Sequence, residues 1–304
     1  RNRDLDSSLV GSEMCIRDSG NRVCYGPAKG DLKTYKFDKI DIASFLQPGA
    51  NVIAALVYNA GKDMPMSMFS VQTAFMLRAE DRDHQFINTD GSWRVLKSQA
   101  YQPISYYEML FKERWFYGYY ACGPGDNVTA SEHPWGWEDV AYNDEDWKSA
   151  EVLEFEASPP WKLMARNIPF MDSYREYPKT IRSTEGIELQ TDPKKRITIP
   201  ANTKAKILYD YGVLTMGYPE LKVERGSRSS IQIKYAEALY EKINLKAHRD
   251  SVNNLTMYGV WDVFHPDGPE RIFRPLWKRA FRYIQLVIQT GDQPLDLLSL
   301  ESEY

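Results

Sequence analysis

Residues 208–237 read LYDYGVLTMGYPELKVERGSRSSIQIKYAE. Apolar and polar side chains alternate over residues 221–224 and again over residues 230–235, which is the two-residue period of a half-buried strand. Gly226 and Ser227 lie between the two runs and predict a turn, because glycine adopts positive φ without steric cost. The stretch therefore predicts two strands of a β-sheet domain joined by a turn.

The residues around these strands carry a family resemblance. Asp210, Gly212 and Gly217 predict a short loop in which the backbone bends or approaches another backbone closely. The second strand ends in Tyr-Ala-Glu at residues 235–237, and an Arg-Tyr strand follows at residues 281–286. Taken in full, this order resembles the β-sandwich domain that precedes the catalytic barrel in bacterial α-L-rhamnosidases of glycoside hydrolase family 78.

Composition and charge narrow the class of protein. The 304 residues suggest about two domains, and the net charge of −4 with no basic stripe argues against a nucleic-acid partner. No apolar run reaches the roughly 18 residues of a membrane-spanning helix. Aromatic residues make up 13% of the chain, which suits β-rich cores and also stacking on sugar rings. Cys15, Cys24 and Cys122 match no metal spacing and leave the redox compartment open.

The first residues do not resemble the start of a protein. Residues 1–19 have no initiator methionine, no apolar segment of a signal peptide and no strand alternation. The run SLVGSEMCIRD at residues 8–18 resembles a translated sequencing-adapter tail. We therefore expect residues 1–19 to be a non-native tail, and the native sequence to begin near Gly20, in the middle of a domain.

Residues 20–155 predict a first β-sandwich. The segment 42–58 combines a short turn, a Pro-Gly stop and an apolar strand, and Trp93 and Trp147 each follow an acidic turn. This order resembles the galactose-binding-like jelly roll at the front of family 2 and family 78 glycoside hydrolases. The family's opening strands have no counterpart here, so the resemblance implies a first domain truncated at its start.

The second half of the chain predicts another sandwich. Residues 156–178 contain four prolines and predict an extended linker. Residues 179–304 alternate repeatedly between short strands and turns. No part of the chain shows a succession of long helices with a 3.6-residue period. The expected fold class is all-β, with two consecutive jelly-roll-like sandwiches and without the helical catalytic barrel of the family.

The most aromatic stretch is residues 111–137, where regular secondary structure is not expected beyond Tyr120. It is long for a connection within a domain, and such loops tend to be functional or disordered. Its flat side chains could stack on a pyranose, with carboxylates as hydroxyl partners. The main sugar-contact candidates are Trp115, Tyr117, Trp135, Trp137 and Glu113, and the stretch adds Tyr119, Tyr120, Asp126 and Glu132. Ordinary packing, or docking onto a missing barrel, explains the same residues.

No catalytic residue is expected. Glycoside hydrolysis needs two carboxyl groups on either side of the scissile bond, and the family resemblance implies that both lie on the absent barrel. Glu237 is interpreted as a structural residue at a strand end. His248 and Asp250 are interpreted as solvated loop residues whose side chains diverge. The four histidines fit no metal signature, and no phosphate-binding or dinucleotide-binding loop is present, so neither metal nor cofactor is expected.

The resemblance implies a non-catalytic N-terminal fragment of an enzyme that hydrolyses terminal α-L-rhamnosyl bonds in plant or microbial glycans, with inversion and no cofactor. The expected partners are a rhamnose-containing glycan, bound by the whole enzyme, and the C-terminal barrel that the fragment stabilises. The expected location is periplasmic or secreted. Two alternatives stay open: a carbohydrate-binding module, and the front of another multidomain hydrolase of β-galactosidase type.

Overall fold

The computed structural model describes residues 4–8, 12–17, 21–24, 26–28, 30–31, 33–64, 73–113, 123–153, 162–170 and 172–304. These residues form two compact units. The first unit is drawn from residues 1–97 and 134–170, and the second from residues 98–133 and 171–304.

The strands are short except in the last third of the chain. They are β1 Asp4–Ser8, β2 Ser12–Arg17, β3 Asn21–Cys24, β4 Thr34–Asp41, β5 Val52–Val57, β6 Met76–Ala79, β7 Arg94–Val95, β8 Tyr101–Ile104, β9 Gly125–Thr129, β10 Lys148–Ser149, β11 Lys162–Ala165, β12 Arg175–Glu176, β13 Thr180–Glu185, β14 Ile197–Ile199, β15 Lys204–Arg225, β16 Ser230–Ala236, β17 Tyr240–Lys242, β18 Leu245–Lys246, β19 Val260–His265, β20 Gly268–Phe273, β21 Arg279–Gln289 and β22 Leu295–Glu303. Among the described residues one α-helix occurs, α1 Tyr106–Glu113, with 3-10 turns at Ala43–Phe45, Gly61–Asp63, Gln85–Ile87 and Ala130–Glu132.

Strand β15 takes part in both sheets of the second unit. Its first part, residues 204–210, pairs antiparallel with β13 and β21, in a sheet ordered β13-β15-β21-β16-β19-β9-β8. Its last part, residues 218–225, pairs with β20 and β22, and β22 also pairs with β12 and β14. The register breaks between these parts, since Asp210 lies opposite Tyr283 but Thr215 lies opposite Phe281.

The two predicted strands and their turn are present as β15 and β16. Gly226 has φ 73°, and the Ser229 amide donates to its carbonyl oxygen. A Cβ at Gly226 would lie 2.4 Å from Leu295, so the position needs glycine for space as well as for φ. The two strands do not pair with each other, because β21 lies between the first part of β15 and β16. The turn instead carries the chain between the two sheets.

The loop predicted from Asp210, Gly212 and Gly217 is a break in register within the continuous strand β15, although the predicted bend and close backbone approach are present. Gly212 has φ 80°, and its amide donates to the Asp210 carboxylate over 2.7 Å. A Cβ at Gly217 would lie 2.6 Å from the Glu303 carbonyl oxygen, so two backbones approach closely there. The bend at Gly212 and the close approach at Gly217 thus accompany the register break inside β15.

Aromatic side chains fill the space between the two sheets of the second unit. Phe264 on β19 and Phe273 on β20 belong to opposite sheets, and their ring centroids are 5.6 Å apart. Tyr211 packs edge-on against Phe281 with centroids 5.0 Å apart. All four side chains are buried, and each contributes about 1.5–3 kcal/mol of hydrophobic stabilisation. The aromatic enrichment of the chain therefore serves this core.

Residues 98–133 belong to the second unit. Strand β9 pairs parallel with β19 and antiparallel with β8, which extends the first sheet. Met109 on α1 packs with Ile104 and Trp261 beneath these strands. From the sequence, residues 98–133 are predicted to be part of a first sandwich of residues 20–155. The sequence also predicts no regular secondary structure beyond Tyr120. The second expectation is wrong, because β9 finds a partner strand more than a hundred residues away.

The first unit holds two facing sheets, ordered β11-β4-β1-β6 and β3-β2-β5, with β7 and β10 paired separately. Cys24, Ile42 and Leu77 are the buried centre of its core, with further apolar side chains packed around them. Strands β1 and β2 fall within residues 1–19, where no strand was predicted. They form because ladder hydrogen bonds use backbone groups that every sequence supplies.

The predicted linker, residues 156–178, joins a sheet at both ends. Strand β11 pairs parallel with β4 in the first unit, and β12 pairs with β22 in the second. Just after β11, the Arg166 guanidinium donates two hydrogen bonds, of 2.6 and 2.8 Å, to the fully buried carboxylate of Asp38. Paired strands and a buried ion pair thus fix parts of a segment expected to be only extended.

The all-β fold class is confirmed: both units consist of sheets, and the described residues contain no helical barrel. Within the described ranges, no helix is long and apolar enough to cross a membrane.

Candidate functional site

The predicted sugar-contact residues fall in different parts of the chain. Trp115 and Tyr117 lie outside the described residues, as does the side chain of Glu113, the last residue of α1. Trp135 and Trp137 are half-buried in a turn where the Trp137 amide donates to the Pro134 carbonyl oxygen. Neither indole is an exposed platform, and sugar contact at these five residues stays a prediction.

Asp126, suggested as a hydroxyl partner for a sugar, lies instead in a buried charged cluster. Its carboxylate accepts a 2.8 Å hydrogen bond from the Leu276 amide and lies 3.3 Å from the Arg279 guanidinium. Arg279 also donates to Asp262, over 2.5 and 3.1 Å, and to the Pro124 carbonyl oxygen. The three charged side chains are at most 4% exposed, so no substrate reaches them.

The cluster holds one positive charge against two carboxyl groups. Burial, and then the neighbouring Asp262, raise the pKa of Asp126 from 3.8 to about 7, against the opposing effects of Arg279 and the Leu276 amide. The Asp262 carboxylate accepts two hydrogen bonds from Arg279 and one from the Asp126 amide. Below about pH 7 the cluster therefore keeps a proton on the Asp126 carboxyl group.

The retained proton predicts a pH effect on stability. Between pH 3.8 and about 7 the native state holds a proton at Asp126 that the unfolded chain releases. This group therefore lowers the free energy of unfolding as pH rises through that interval. The variant Asp126→Asn cannot titrate, so its stability relative to the wild type should increase with pH there.

Urea unfolding at a series of pH values measures this difference, with the exposed Asp292→Asn as the control variant. A difference curve for Asp126→Asn that does not rise with pH above that of Asp292→Asn would contradict the buried proton.

Other carboxylates of the second unit that approach one another are also held by arginines. Glu220 accepts hydrogen bonds from Arg175 and Arg274, over 2.9 and 2.7 Å, and Arg274 also donates to Glu303. Asp296 is buried; although burial raises its pKa, hydrogen bonds from Arg225, Arg196 and Thr198 outweigh this, and the net pKa is lowered. These carboxylates are structural acceptors for arginine rather than proton donors facing a cleft.

The loop after β18 differs from its prediction in one detail. His248 Nδ1 lies 3.6 Å from Asp250 Oδ2, so these side chains do not diverge. A turn closed by the Ser251 amide, which donates to the His248 carbonyl oxygen, brings them together. The side chains of His248 and Asp250 are 73% and 62% exposed, and Asp250 is bound by Arg282, which suits a structural loop rather than a catalytic dyad.

The first unit contains an open pocket of about 340 Å³. One side is apolar and the rim is polar. Its lining residues are Ile42, Leu46, Gln47, Gly49, Asn51, Ile53, Ala79, Asp81, His84, Phe86 and Ile87. Phe86 is 81% exposed, which is the largest exposure among the large apolar residues of the described chain. Sequence reasoning missed this site because Phe86 lies in a polar, irregular stretch without strand or helix periodicity.

Two polar contacts shape the rim of the pocket. His84 Nδ1 lies 2.6 Å from Asp81 Oδ1, and this hydrogen bond lowers the pKa of Asp81. Asn51 donates to the carbonyl oxygens of Gln47 and Gly49 and accepts from the Gln47 amide, which closes the loop before β5. No three His, Cys, Asp or Glu side chains of the described residues are grouped so that they could hold a metal ion.

Comparison with known proteins identifies the second unit. Residues 201–300 match the family model described as the bacterial alpha-L-rhamnosidase concanavalin-like domain. These residues are similar to that domain of rhamnosidases, and we call them the rhamnosidase domain. The match contains β15 to β21 and most of β22, so it includes strands of both sheets of the second unit. No curated protein matches the chain in sequence.

Three solved rhamnosidases share the fold of the chain. A family 78 rhamnosidase of Bacillus sp. GL1 aligns with TM-score 0.74 and 11% identity, over 100% of this chain and 52% of its own. The α-L-rhamnosidase from Dictyoglumus thermophilum aligns with TM-score 0.60 and 18% identity, over 97% and 30%. The α-L-rhamnosidase from Aspergillus terreus aligns with TM-score 0.59 and 17% identity, over 99% and 32%. The chain thus spans 30% to 52% of the length of these enzymes.

Within the rhamnosidase domain, Glu237 lies at the surface after β16. Its carboxylate pairs with Lys246 over 2.9 Å, and both side chains are about half exposed. An exposed pair of this kind contributes little to stability. The Tyr-Ala-Glu motif that carried the resemblance therefore ends in a surface ion pair.

Proposed function

We propose that this chain is the non-catalytic part of an α-L-rhamnosidase that hydrolyses terminal α-L-rhamnosyl bonds in plant or microbial glycans, and that it stabilises the catalytic barrel. The observation that carries the proposal is the rhamnosidase domain at residues 201–300. In the second unit the carboxylates that lie close to one another, Glu220, Asp126 and Asp262, are paired with arginine and buried. A glycosidase needs a proton donor and a second carboxylate facing an open cleft.

A surface on the rhamnosidase domain suits the contact with a barrel. Val213, Leu214 and Met216 are 50%, 58% and 53% exposed, and they follow one another at the register break of β15. The neighbouring Tyr211 is fully buried and its hydroxyl lies 3.1 Å from that of Ser302, which anchors the base of this segment. Exposed apolar groups that are held in place are typical of protein–protein contacts.

The test is activity on a chromogenic α-L-rhamnoside by the full enzyme and by this chain alone. We expect turnover by the full enzyme only. Turnover by the chain alone would show that the two sandwiches contain an active site and would overturn the proposal.

The proposed stabilisation of the catalytic barrel is tested by heat inactivation of the full enzyme. In the full enzyme, the double variant Leu214→Ser, Met216→Ser should inactivate faster on heating, because the barrel loses an apolar contact. Leu189→Ser is the matched control, since Leu189 is 67% exposed and lies away from the register break. Equal half-lives for the double variant and the control would contradict a barrel contact at this surface.

A further inference from the structure

We propose that the pocket of the first unit binds a single pyranose residue of a glycan. The pocket is distinct from the aromatic stretch at residues 111–137 and from the charged clusters of the second unit. At about 340 Å³ its volume lies in the range of small-molecule sites, which is roughly 300–1,000 Å³. Its apolar wall, its exposed aromatic ring and its polar rim suit a sugar.

The apolar wall is built on the core of the first unit. Ile42 is buried, and Ile53, Leu46 and Ile87 pack against the same core cluster, so the wall cannot collapse into the pocket without disturbing the core. Such a surface suits the face of a sugar ring that carries only C–H groups, or the methyl group of a deoxysugar.

Phe86 is the unexplained residue of the pocket. It lies in the 3-10 turn Gln85–Ile87, where Ile87 turns inward to the core while Phe86 stays 81% exposed. Its ring centroid is 6.1 Å from that of His84, with the planes tilted by 47°. A phenyl ring exposed beside a polar rim is costly in water, and a stacked pyranose would cover it while leaving the sugar hydroxyls at the rim.

The rim presents hydrogen-bonding groups of both kinds. His84 Nδ1 lies 2.6 Å from Asp81 Oδ1, so this contact leaves Nε2 as a further polar atom of the ring. The second carboxylate oxygen of Asp81 adds an acceptor, and the exposed Gln47 amide adds a donor and an acceptor. Sugar hydroxyls donate and accept at once, so they match this mixed set.

The rim is also organised before any ligand arrives. The side chain of Asn51 makes three hydrogen bonds within residues 47–51, and these fix the loop that carries Gln47. Little conformational entropy is then lost on binding. This inference does not depend on the proposed function, because binding is measured on the chain itself without any hydrolysis.

The experiment is saturation-transfer NMR and calorimetric titration of the chain with methyl α-L-rhamnopyranoside and methyl β-D-galactopyranoside. We expect dissociation constants of about 1 mM for one sugar ring. Phe86→Ala should weaken binding about tenfold through loss of stacking, and His84→Leu should weaken it about fivefold through loss of a polar partner. Tyr107→Ala is the matched control, because Tyr107 is 67% exposed and does not line the pocket.

Three results would overturn the proposal. The first is no saturation transfer to either glycoside. The second is binding that Phe86→Ala and Tyr107→Ala affect equally. The third is cyclohexanol binding as tightly as the glycosides, which would make the pocket an apolar cavity rather than a sugar site. Because Phe86 and His84 lie outside the buried core, all variants should fold, and circular dichroism checks this.

Discussion

Replacing Arg279 with leucine is expected to lower the free energy of unfolding of the second unit by about 3–5 kcal/mol. The Arg279 side chain is 1% exposed and donates to both Asp262 and Asp126. Without it, two buried carboxyl groups lose their shared cation, and Asp262 must either stay charged in an apolar core or take up a proton. Either outcome lowers the free energy of unfolding. Leucine donates no hydrogen bond, so the carboxylates of Asp126 and Asp262 and the Pro124 carbonyl oxygen all lose this donor.

Chemical unfolding followed by tryptophan fluorescence measures the change, because Trp261 lies in the same unit and is buried. The matched control is Arg228→Leu, which removes an exposed guanidinium 3.5 Å from Asp292 and should change stability little. If Arg279→Leu is as stable as this control, the buried cluster does not hold the unit together. Adding Asp126→Asn and Asp262→Asn to Arg279→Leu should recover part of the loss, since no buried charge then lacks a partner.

Gly259→Ala is the second change with a large expected effect, a destabilisation of about 3 kcal/mol through overpacking against backbone. A Cβ at Gly259 would lie 1.8 Å from the Tyr235 carbonyl oxygen and 2.8 Å from its carbon. Tyr235 belongs to β16, which is paired on one side with β19 and on the other with β21. The strand cannot move away without breaking ladder hydrogen bonds on both sides.

Thermal unfolding compares this variant with Gly123→Ala, where the three atoms nearest to the added Cβ all belong to the Trp277 side chain, at 3.4 Å or more. The control should cost less than about 1 kcal/mol. Equal melting temperatures for Gly259→Ala and the control would show that the β16 backbone yields to an added methyl group, contrary to the geometry.

Local alternation was enough to predict the central strands, whereas long-range pairing was not predictable. The pattern over residues 221–224 and 230–235 predicted β15 and β16, since a two-residue period reports burial on one face. Strand β9 was missed because residues Gly125–Thr129 contain glycine, aspartate and asparagine and have low strand propensity. Its pairing with β19 comes from tertiary structure alone.

The candidate sites also depend on contacts between residues that are far apart in the sequence. Asp126 was considered for sugar contact because carboxylates near aromatic residues suit hydroxyl groups, but its partners Asp262 and Arg279 are 136 and 153 residues away. The pocket draws on segments around Ile42, Gly49 and His84 that no motif connects. Residue type gave the chemistry each side chain can do, and only the fold decides which side chains meet.

Each unit is built from two separate segments of the chain, so the second unit begins to be made before the first is complete. On the ribosome, all residues of the first unit have been made by residue 170, while β9 still lacks β19. Translation of the 136 residues between Asp126 and Asp262 takes roughly ten seconds at typical elongation rates. During that time the nascent chain carries a strand with one unpaired edge, held only by β8. Chaperone dependence during translation should therefore concentrate on residues 98–133.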